Sequence, residues 1–244
     1  KTLVIIPSRL SAVRLPGKPL FKINGLSIIS HVFKKAEEAN IGEVVVAAED
    51  QEIVDDVKNN GGQAILTKNH HKTGTDRVYE ALQKLDSSKI DMVMNLQGDE
   101  PLMNVDDIKN LHNQMVKSNS KLGTLASKIL DQEVYKNENT VKVFTKSKLS
   151  DTNFPEAINF SRKILDKSEN IYHHLGIYCY QKDTLQDFVS FNQSPRELEN
   201  KLEQLRALDN NIKINVALAK TSPIGVDTEE DFVAIKKIME YKSK

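Results

Sequence analysis

Short aliphatic runs alternate with helix-like stripes over the first hundred residues, and this alternation constrains the fold more than any other feature. The runs at 3–6, 44–47, 64–66 and 90–96 predict strands, and apolar positions at helical spacing between them predict helices. Strands that alternate with helices favour parallel pairing through helical crossovers, with both faces of the sheet covered. Residues 1–103 are therefore predicted to form the doubly wound half of an α/β domain.

The alternation loosens in the second half, about residues 104–244. Strands are predicted there at 122–130, 141–145, 157–161, 174–180 and 212–219. We expect a smaller mixed or antiparallel extension of the sheet, in which His174 and Tyr178 lie on the polar face of their strand and Cys179 on the apolar face.

Three helix boundaries are predicted from capping residues. Thr75 is expected to cap the helix after the third strand. Ser194, followed by Pro195, is expected to open a helix that runs to about residue 208. Thr228 and Asp231 have the spacing of a capping box for the last helix.

The composition excludes several classes of protein. Lys and Arg together number 34, as do Asp and Glu, so no overall positive field would hold nucleic acid or an anionic membrane. Cys179 is the only cysteine, which excludes an internal disulfide and fits a reducing compartment. No apolar run is long enough for a membrane span. We therefore predict a single cytoplasmic domain whose ligand-binding charges are local.

The loop after the first predicted strand carries three cations, Arg9, Arg14 and Lys18. Ligands of open α/β sheets bind beyond the carboxyl ends of the strands, and guanidinium and ammonium groups there can share a polyphosphate. A solvated basic loop has the same composition, so both interpretations stay open at this point. The Walker pattern and the Gly-x-Gly-x-x-Gly fingerprint are absent, which argues against P-loop hydrolases and Rossmann dehydrogenases.

Two acids follow later strands in the same manner. Asp99 stands beside Gly98 after the fourth strand, and Asp227 lies in the loop after the last one. Two carboxylates and a triphosphate would supply the oxygen ligands that Mg²⁺ prefers, although Gly98 and Asp99 alone also suit an ordinary turn. The adjacent histidine pairs at 70–71 and 173–174 lack the ligand spacing of a zinc site.

A set of short motifs runs in order along nearly the whole chain. They are IIPSR at 5–9, RLPGKPL at 14–20, TGTDR at 73–77, NLQGDEP at 95–101, NTVKV at 139–143, FSR at 160–162, HLGIY at 174–178, LEQLR at 202–206 and GVDT at 225–228. In this order they resemble the family of 3-deoxy-manno-octulosonate cytidylyltransferases, the CMP-Kdo synthetases of lipopolysaccharide biosynthesis.

The resemblance implies a fold, a reaction and an assembly. The fold would be a single domain of the nucleotide-diphospho-sugar transferase type, with a mixed, mainly parallel sheet and helices on both faces. The reaction would transfer CMP from CTP to 3-deoxy-D-manno-octulosonate (Kdo), with Mg²⁺ and release of pyrophosphate, in a cytoplasmic homodimer. Another acidic acceptor, such as 8-amino-Kdo or sialic acid, and a non-catalytic nucleotide-binding scaffold of the same fold remain alternatives.

The resemblance also assigns roles residue by residue. Arg9, Lys18, Asp99 and Asp227 would be catalytic, with both aspartates as metal ligands. The nucleotide would be bound by Arg9, Arg14, Lys18, Gly74 and Thr75, and the sugar by Arg77, Gln97, Arg162, His174, Tyr178 and Gln204.

The chain departs from the family pattern at two places. Ala48 and Glu49 replace Thr-Asp, and Ile164 and Leu165 replace Ile-Pro. The apolar segments 122–130 and 158–165 are candidates for the dimer interface or, equally, for the core.

Overall fold

The computed structural model describes residues 1–164 and 169–242. The chain divides into two compact units, one formed by Lys1–Val105 with the segment from Pro223 onward, and the other by Asp106–Ser222. The final segment thus belongs with the first unit, although the sequence pattern groups it with the second half. The final segment is attached to the first unit by its backbone, since the amide of Val226 donates to the carbonyl of Asp99 at 2.8 Å.

The first unit is built around a parallel sheet. Its elements are β1 (Thr2–Ser8), β2 (Lys22–Ile23), β3 (Leu26–Ser27), α1 (Ile28–Glu38), β4 (Gly42–Ala48), α2 (Gln51–Asn59), β5 (Gln63–Leu66), α3 (Gly74–Lys84) and β6 (Met92–Asn95). The parallel strands lie in the order β6, β1, β4, β5, and β2 pairs with β3 in a small hairpin. Successive residues Val4, Ile5 and Ile6 of β1 are all fully buried, as expected for a strand covered on both faces.

The second unit has a mainly antiparallel sheet. Its elements are α4 (Val105–Ser118), β7 (Leu122–Ser127), α5 (Gln132–Lys136), β8 (Lys142–Thr145), β9 (Ala157–Ser161), β10 (Ile171–Gln181), α6 (Lys182–Ser190), α7 (Pro195–Asn200), α8 (Leu205–Asp209) and β11 (Asn215–Ala219). The strands lie in the order β11, β7, β10, β8, β9, and only the β11–β7 pair is parallel. The chain closes with α9 (Glu229–Lys242).

The α/β class with a mixed, mainly parallel sheet is confirmed, as is the predicted antiparallel part. Within the described residues, no helix combines the length and the apolar character needed to cross a bilayer. The segment 122–127 is buried within its own unit, whereas Leu130 and Ile158 expose apolar surface. Leu165, part of one predicted interface segment and of one family departure, lies outside the described residues.

Two predicted helix boundaries are wrong. Thr73, and not Thr75, caps α3, because its hydroxyl accepts from the Asp76 amide while the Asp76 carboxylate accepts from the Thr73 amide. Ser194 caps a helix as predicted, but that helix ends at Asn200, and the C-cap residue Lys201 adopts a left-handed conformation with φ 53°. The predicted helix from 195 to 208 is therefore two short helices, α7 and α8.

The predicted alternation along β10 is confirmed in part. Burial alternates from Leu175 to Cys179, but His174 and Tyr180 of the polar face are also buried, at 7% and 2% exposure. A register shift between Leu175 and Tyr178 interrupts the pairing with β7. The capping box of Thr228 and Asp231 at the last helix is confirmed by reciprocal hydrogen bonds.

Candidate functional site

A cavity of about 430 Å³ opens in the first unit where β1 and β6 end and α3 begins. Of the residues predicted for the nucleotide, the metal and the sugar, the following line it: Arg9, Arg14, Lys18, Gly74, Arg77, Gln97, Asp99 and Asp227. Thr75 does not belong to this set, because it is turned inward and is 2% exposed. Carboxyl ends of parallel strands meet at one sheet edge, which is why segments far apart in sequence converge here.

The loop that carries the three cations is folded back on itself. Leu10 O accepts from the amides of Ala12 and Gly17, at 2.8 and 2.9 Å. Gly17 has φ +76°, a left-handed conformation that glycine adopts without strain, and it leads into a single 3-10 turn at Lys18–Leu20 that contains Pro19. Lys18 is the first residue of this turn, and the Lys18 side chain is only 13% exposed.

Lys18 is the centre of the charges in the cavity. Its ammonium donates to Asp99 Oδ2 at 2.6 Å, to Asp227 Oδ1 at 3.3 Å and to the carbonyl of Val226 at 2.6 Å. The guanidinium of Arg14 reaches Asp227 Oδ2 at 3.1 Å. Asp99 and Asp227, 128 residues apart in the chain, therefore share one cation.

Gly98 permits the close approach that places Asp99. A Cβ atom at this position would lie 2.9 Å from the carbonyl oxygen of Pro7 and 3.3 Å from Ile29, so a larger residue would push the end of β6 away from β1. At Gly225, by contrast, a Cβ atom would be in ordinary van der Waals contact, 3.5 Å from the Glu100 side chain. The close approach therefore depends on Gly98.

A third acid, Glu100, was not singled out by the sequence. Burial, and then the neighbouring charges of Asp99 and Asp227, raise the pKa of its carboxyl to about 8. Its Oε2 atom is buried and has no hydrogen-bond partner among the described residues. Glu100 is thus a protonated neighbour of the two aspartates near neutral pH, and only its place in the 95–101 motif could have drawn attention to it.

The residues around Lys18 fit a hard cation such as Mg²⁺. Carboxylate oxygens of Asp99 and Asp227 already surround one positive charge, and Mg²⁺ is commonly held by one or two carboxylates together with substrate phosphates. A preformed group of three or more His, Cys, Asp or Glu ligands is not found in the described part of the chain. The nucleotide would therefore have to supply the remaining ligands.

Arg77 is buried at the floor of the cavity and is 3% exposed. Its guanidinium donates to Glu49 at 2.5 Å, to the Thr67 hydroxyl at 2.6 Å and to the carbonyl of Lys68 at 3.0 Å. Glu49, one of the two family departures, is thus the counterion of Arg77. Since this contact neutralises the guanidinium, the predicted role of Arg77 at the sugar stays a prediction.

Glu80 of α3 holds the wall of the cavity that contains His71. It accepts from the Lys68 amide at 3.0 Å, from the His71 ring and from Lys84 at 2.7 Å. Burial would raise the pKa of Glu80, but the hydrogen bonds from Lys84, His71 and the Lys68 amide outweigh it and lower the pKa to about 2. The segment 68–72 is therefore tied to α3 by an ionised carboxylate.

In the second unit, His174 and Tyr178 of β10 lie together, with ring centroids 5.5 Å apart. Burial, and then His173, lower the pKa of His174 to about 3, so its ring is neutral. Thr124 donates its hydroxyl to the carbonyl of Ile177 at 2.7 Å and lies 3.0 Å from His174 Nε2. With its proton so used, Thr124 accepts from Nε2, which leaves Nδ1 of His174 as an acceptor.

The other predicted sugar-binding residues of this unit differ in exposure. Gln204 precedes α8 and is 6% exposed. Arg162 directly follows β9, and its guanidinium donates to the carbonyls of Asn139 and Glu138 at 3.2 and 3.5 Å. Burial, and then the charges of Tyr180 and Glu203, raise the pKa of Tyr178 well above its usual value, so its hydroxyl stays protonated.

Known cytidylyltransferases are similar to this protein over nearly the whole chain. The cytidylyltransferase family model matches residues 3–214. The chain is 42% identical to the 3-deoxy-manno-octulosonate cytidylyltransferase of Rhodopseudomonas palustris, over 99% of this chain and 98% of that protein. It is 40% identical to the protein of the same name from Nitrobacter winogradskyi, over 98% and 94%. A solved CMP:2-keto-3-deoxy-manno-octonic acid synthetase, complexed with CTP, superposes with a TM-score of 0.90 at 33% identity, covering 99% of each chain.

Proposed function

The chain belongs to the family of 3-deoxy-manno-octulosonate cytidylyltransferases, and from this membership we propose that it transfers CMP from CTP to Kdo, releasing pyrophosphate. The observation that carries the proposal is the arrangement of Lys18 between Asp99 and Asp227 in a cavity that is also lined by Arg9 and Arg14. This set of charges suits a triphosphate together with a divalent cation.

The cations of the loop would bind the triphosphate. Arg9 is exposed at the cavity, and no described residue occupies the guanidinium donors that could bind phosphate oxygens. Arg14 is 62% exposed and contacts the carboxylate of Asp227. Lys18 would exchange its carboxylate contacts for the phosphates when CTP binds. Mg²⁺, when bound by Asp99 and Asp227, would supply further neutralisation of phosphate charge.

The reaction would be an in-line displacement at the α-phosphorus. A bond forms between the anomeric oxygen of the sugar and the α-phosphorus, and the bond from the α-phosphorus to the bridging oxygen breaks. Pyrophosphate leaves with that electron pair, and the hydroxyl proton passes to solvent. Lys18 and the arginines would stabilise the charge on the leaving group, so positioning and electrostatics carry the catalysis.

The acceptor would be recognised through its carboxylate and its hydroxyls. Arg162 is the cation that we assign to the carboxylate, since its guanidinium contacts only backbone carbonyls in the described structure. The Nδ1 acceptor of His174, the Tyr178 hydroxyl and the Gln204 amide would bind hydroxyls. The proposed sugar-binding roles of Arg77 and Gln97 rest on the family resemblance.

A pyrophosphate-release assay tests this proposal. We expect turnover with CTP, Mg²⁺ and Kdo, and a rate lower by at least about tenfold when ATP, GTP or UTP replaces CTP. Replacing Kdo by 8-amino-Kdo or sialic acid tests the two rival acceptors. Preference for UTP with a hexose phosphate would contradict the proposal, and CTP binding that is indifferent to Mg²⁺ without turnover would favour a non-catalytic scaffold.

We further propose that the enzyme acts in the cytoplasm as a homodimer. The absence of a membrane-spanning helix in the described residues is compatible with that location, and exposed Leu130 and Ile158 offer apolar surface for a partner. Light scattering tests the assembly, since a particle mass near 27.5 kDa would identify a monomer.

A further inference from the structure

Lys142, the first residue of β8, is a fully buried cation in the second unit. Its ammonium donates to the carbonyl of Asn137 at 2.6 Å and to the carbonyl of Arg162 at 2.8 Å. The described residues provide it with no ion pair, and burial lowers the pKa of its ammonium, an effect that the charge of Glu138 opposes and that of Arg162 reinforces. Burying an ammonium without a paired carboxylate costs several kcal/mol, so stability alone does not explain a lysine here.

The two carbonyls belong to two different loops, one before β8 and the other after β9. β8 and β9 are antiparallel, with Lys142 opposite Ser161, so Lys142 stands where β8 begins and β9 ends. Asn137 precedes β8, and Arg162 follows β9. The ammonium therefore joins the backbones of two loops that no strand pairing holds together.

Arg162 also contacts the loop before β8 through its side chain. Its carbonyl accepts from Lys142, while its guanidinium donates to the carbonyls of Glu138 and Asn139. These follow directly after Asn137, whose carbonyl also accepts from Lys142. Lys142 thus fixes the backbone of Arg162 and also the loop before β8, to which the Arg162 guanidinium is hydrogen-bonded. A methionine has a similar length and would fill the space with less desolvation, but it could not hold the two carbonyls.

We propose that Lys142 is a positioning residue for the acceptor site, which fixes Arg162 so that its guanidinium meets the carboxylate of an acidic sugar. This inference rests on the proposed function. Lys142 does not touch the substrate and acts through Arg162. The hydrogen bonds of the buried ammonium hold the Arg162 guanidinium in one orientation, at the cost of desolvating Lys142. The affinity for the anionic acceptor should depend on that orientation.

Steady-state kinetics with Lys142→Met, Arg162→Met and the double variant test the inference. For Lys142→Met we expect the KM for Kdo to rise about tenfold and the KM for CTP to stay within about twofold of the wild type. Since both residues act through one guanidinium, the double variant should be no worse than Arg162→Met alone. Effects that multiply, or an equal rise in both KM values, would overturn the inference.

Lys146→Met is the matched control, because Lys146 follows the same strand and is 60% exposed in a pair with Glu156. Its KM values should match those of the wild type. If Lys142→Met fails to fold, Lys142→Gln replaces it, since its neutral amide still donates but lies on a shorter side chain that cannot hold both carbonyls as the ammonium does. The KM for Kdo should then rise by about threefold, and an unchanged KM in a folded variant would refute the positioning role.

Hydrogen exchange separates this inference from the proposed function, because it needs no turnover. In Lys142→Met the amides of 137–140 and 161–163 should exchange at least about tenfold faster than in the wild type, while those of β10 keep their rates. Unchanged exchange in both loops would refute the tie between them. A wild-type protein that shows the tie but produces no pyrophosphate from CTP and Kdo would refute the proposed function instead.

Discussion

Two groups of charged side chains in this molecule differ in their exposure to solvent. In the first unit, Lys18 shares its ammonium between Asp99 and Asp227, whose side chains are 30% and 49% exposed. In the second unit, Arg206 and Glu197 form a pair with side chains 3% and 4% exposed. The first group, in which Arg14 also contacts Asp227, is partly exposed and faces a cavity, and the second is a single ion pair that is closed to solvent.

The closed pair is held by several hydrogen bonds. Arg206 donates to both oxygens of Glu197, at 2.8 and 2.6 Å, and its guanidinium covers the ring of Phe188 at 4.7 Å. The same carboxylate accepts from the amide of Ser194 and so completes the capping box of α7. By contrast, the Lys18 group is partly exposed, and its contacts are ones that a ligand can replace. A partly exposed ionic group therefore marks the site, whereas a buried one marks the scaffold.

The strongest test of this contrast is Asp99→Asn. The variant keeps its shape but loses a charge that we assign to the divalent cation, so kcat/KM should fall by about 10³-fold, or ~4 kcal/mol. Because Asp99 is partly exposed and its carboxylate is paired with Lys18 at the cavity, the free energy of unfolding should change by less than about 1 kcal/mol. Pyrophosphate release and urea denaturation measure the two quantities.

Asp55→Asn is the control for that experiment, since Asp55 is an exposed acid of α2 in the same unit. It should leave both activity and stability unchanged. Near-normal turnover of Asp99→Asn would remove the metal assignment, and unfolding of the variant would show that the Lys18 group is structural after all.

Glu197→Gln should have the reverse outcome. It leaves the guanidinium of Arg206 buried beside a neutral group, which should lower the free energy of unfolding by about 3 kcal/mol. The specific activity of the folded fraction should be that of the wild type. Glu38→Gln, in an exposed pair with Lys35, is the matched control and should cost at most about 0.5 kcal/mol. A stability loss as small as that of the control would break the contrast between closed and open groups.

Glu80 is an intermediate case, because it is only 12% exposed yet holds a wall of the cavity. Its folded pKa of about 2 lies below the usual 4.5, so its stabilising effect is complete above pH 4.5 and is lost as the pH falls through 2. Glu80→Gln should therefore lower the free energy of unfolding by about 2 kcal/mol at pH 7, and by less as the pH falls below 4.5. Urea titrations at pH 7, 5, 4 and 3 test this, and a difference that is independent of pH would contradict it.

Much of this site could be predicted from the sequence, because its main rule is topological. Strand ends in a parallel sheet converge, and so the sequence predicts that Lys18, Asp99 and Asp227 lie close together, although 81 and 209 residues separate the lysine from the two acids. Glu100 could not be found in this way. Its raised pKa depends on burial and on neighbouring charges, and neither is visible in the spacing of residues.

The errors have the same origin in tertiary packing. Thr73 and Thr75 flank Gly74 with nearly equal capping potential, and the choice between them depends on the burial of Thr75. The shift in β10 leaves no mark on the apolar pattern, which continues through it. The break at Lys201 lies between the two residues of the closed Glu197–Arg206 pair, so a contact between α7 and α8 replaces the continuous helix that local signals predict.

The smallest expected effect concerns Arg14, the most exposed member of the open group. Its pair with Asp227 has a distance of 3.1 Å, and Arg14 is 62% exposed, so Arg14→Met should change the free energy of unfolding by less than about 0.5 kcal/mol. A guanidinium that leaves Asp227 to bind a phosphate would still contribute to nucleotide affinity, so the KM for CTP should rise by about fivefold with little change in kcat. Lys22→Met, on the β2–β3 hairpin, is an exposed control that should leave the KM for CTP unchanged. An Arg14→Met enzyme with a normal KM for CTP but reduced stability would place Arg14 with the scaffold and reduce the open group to Lys18 and its two acids.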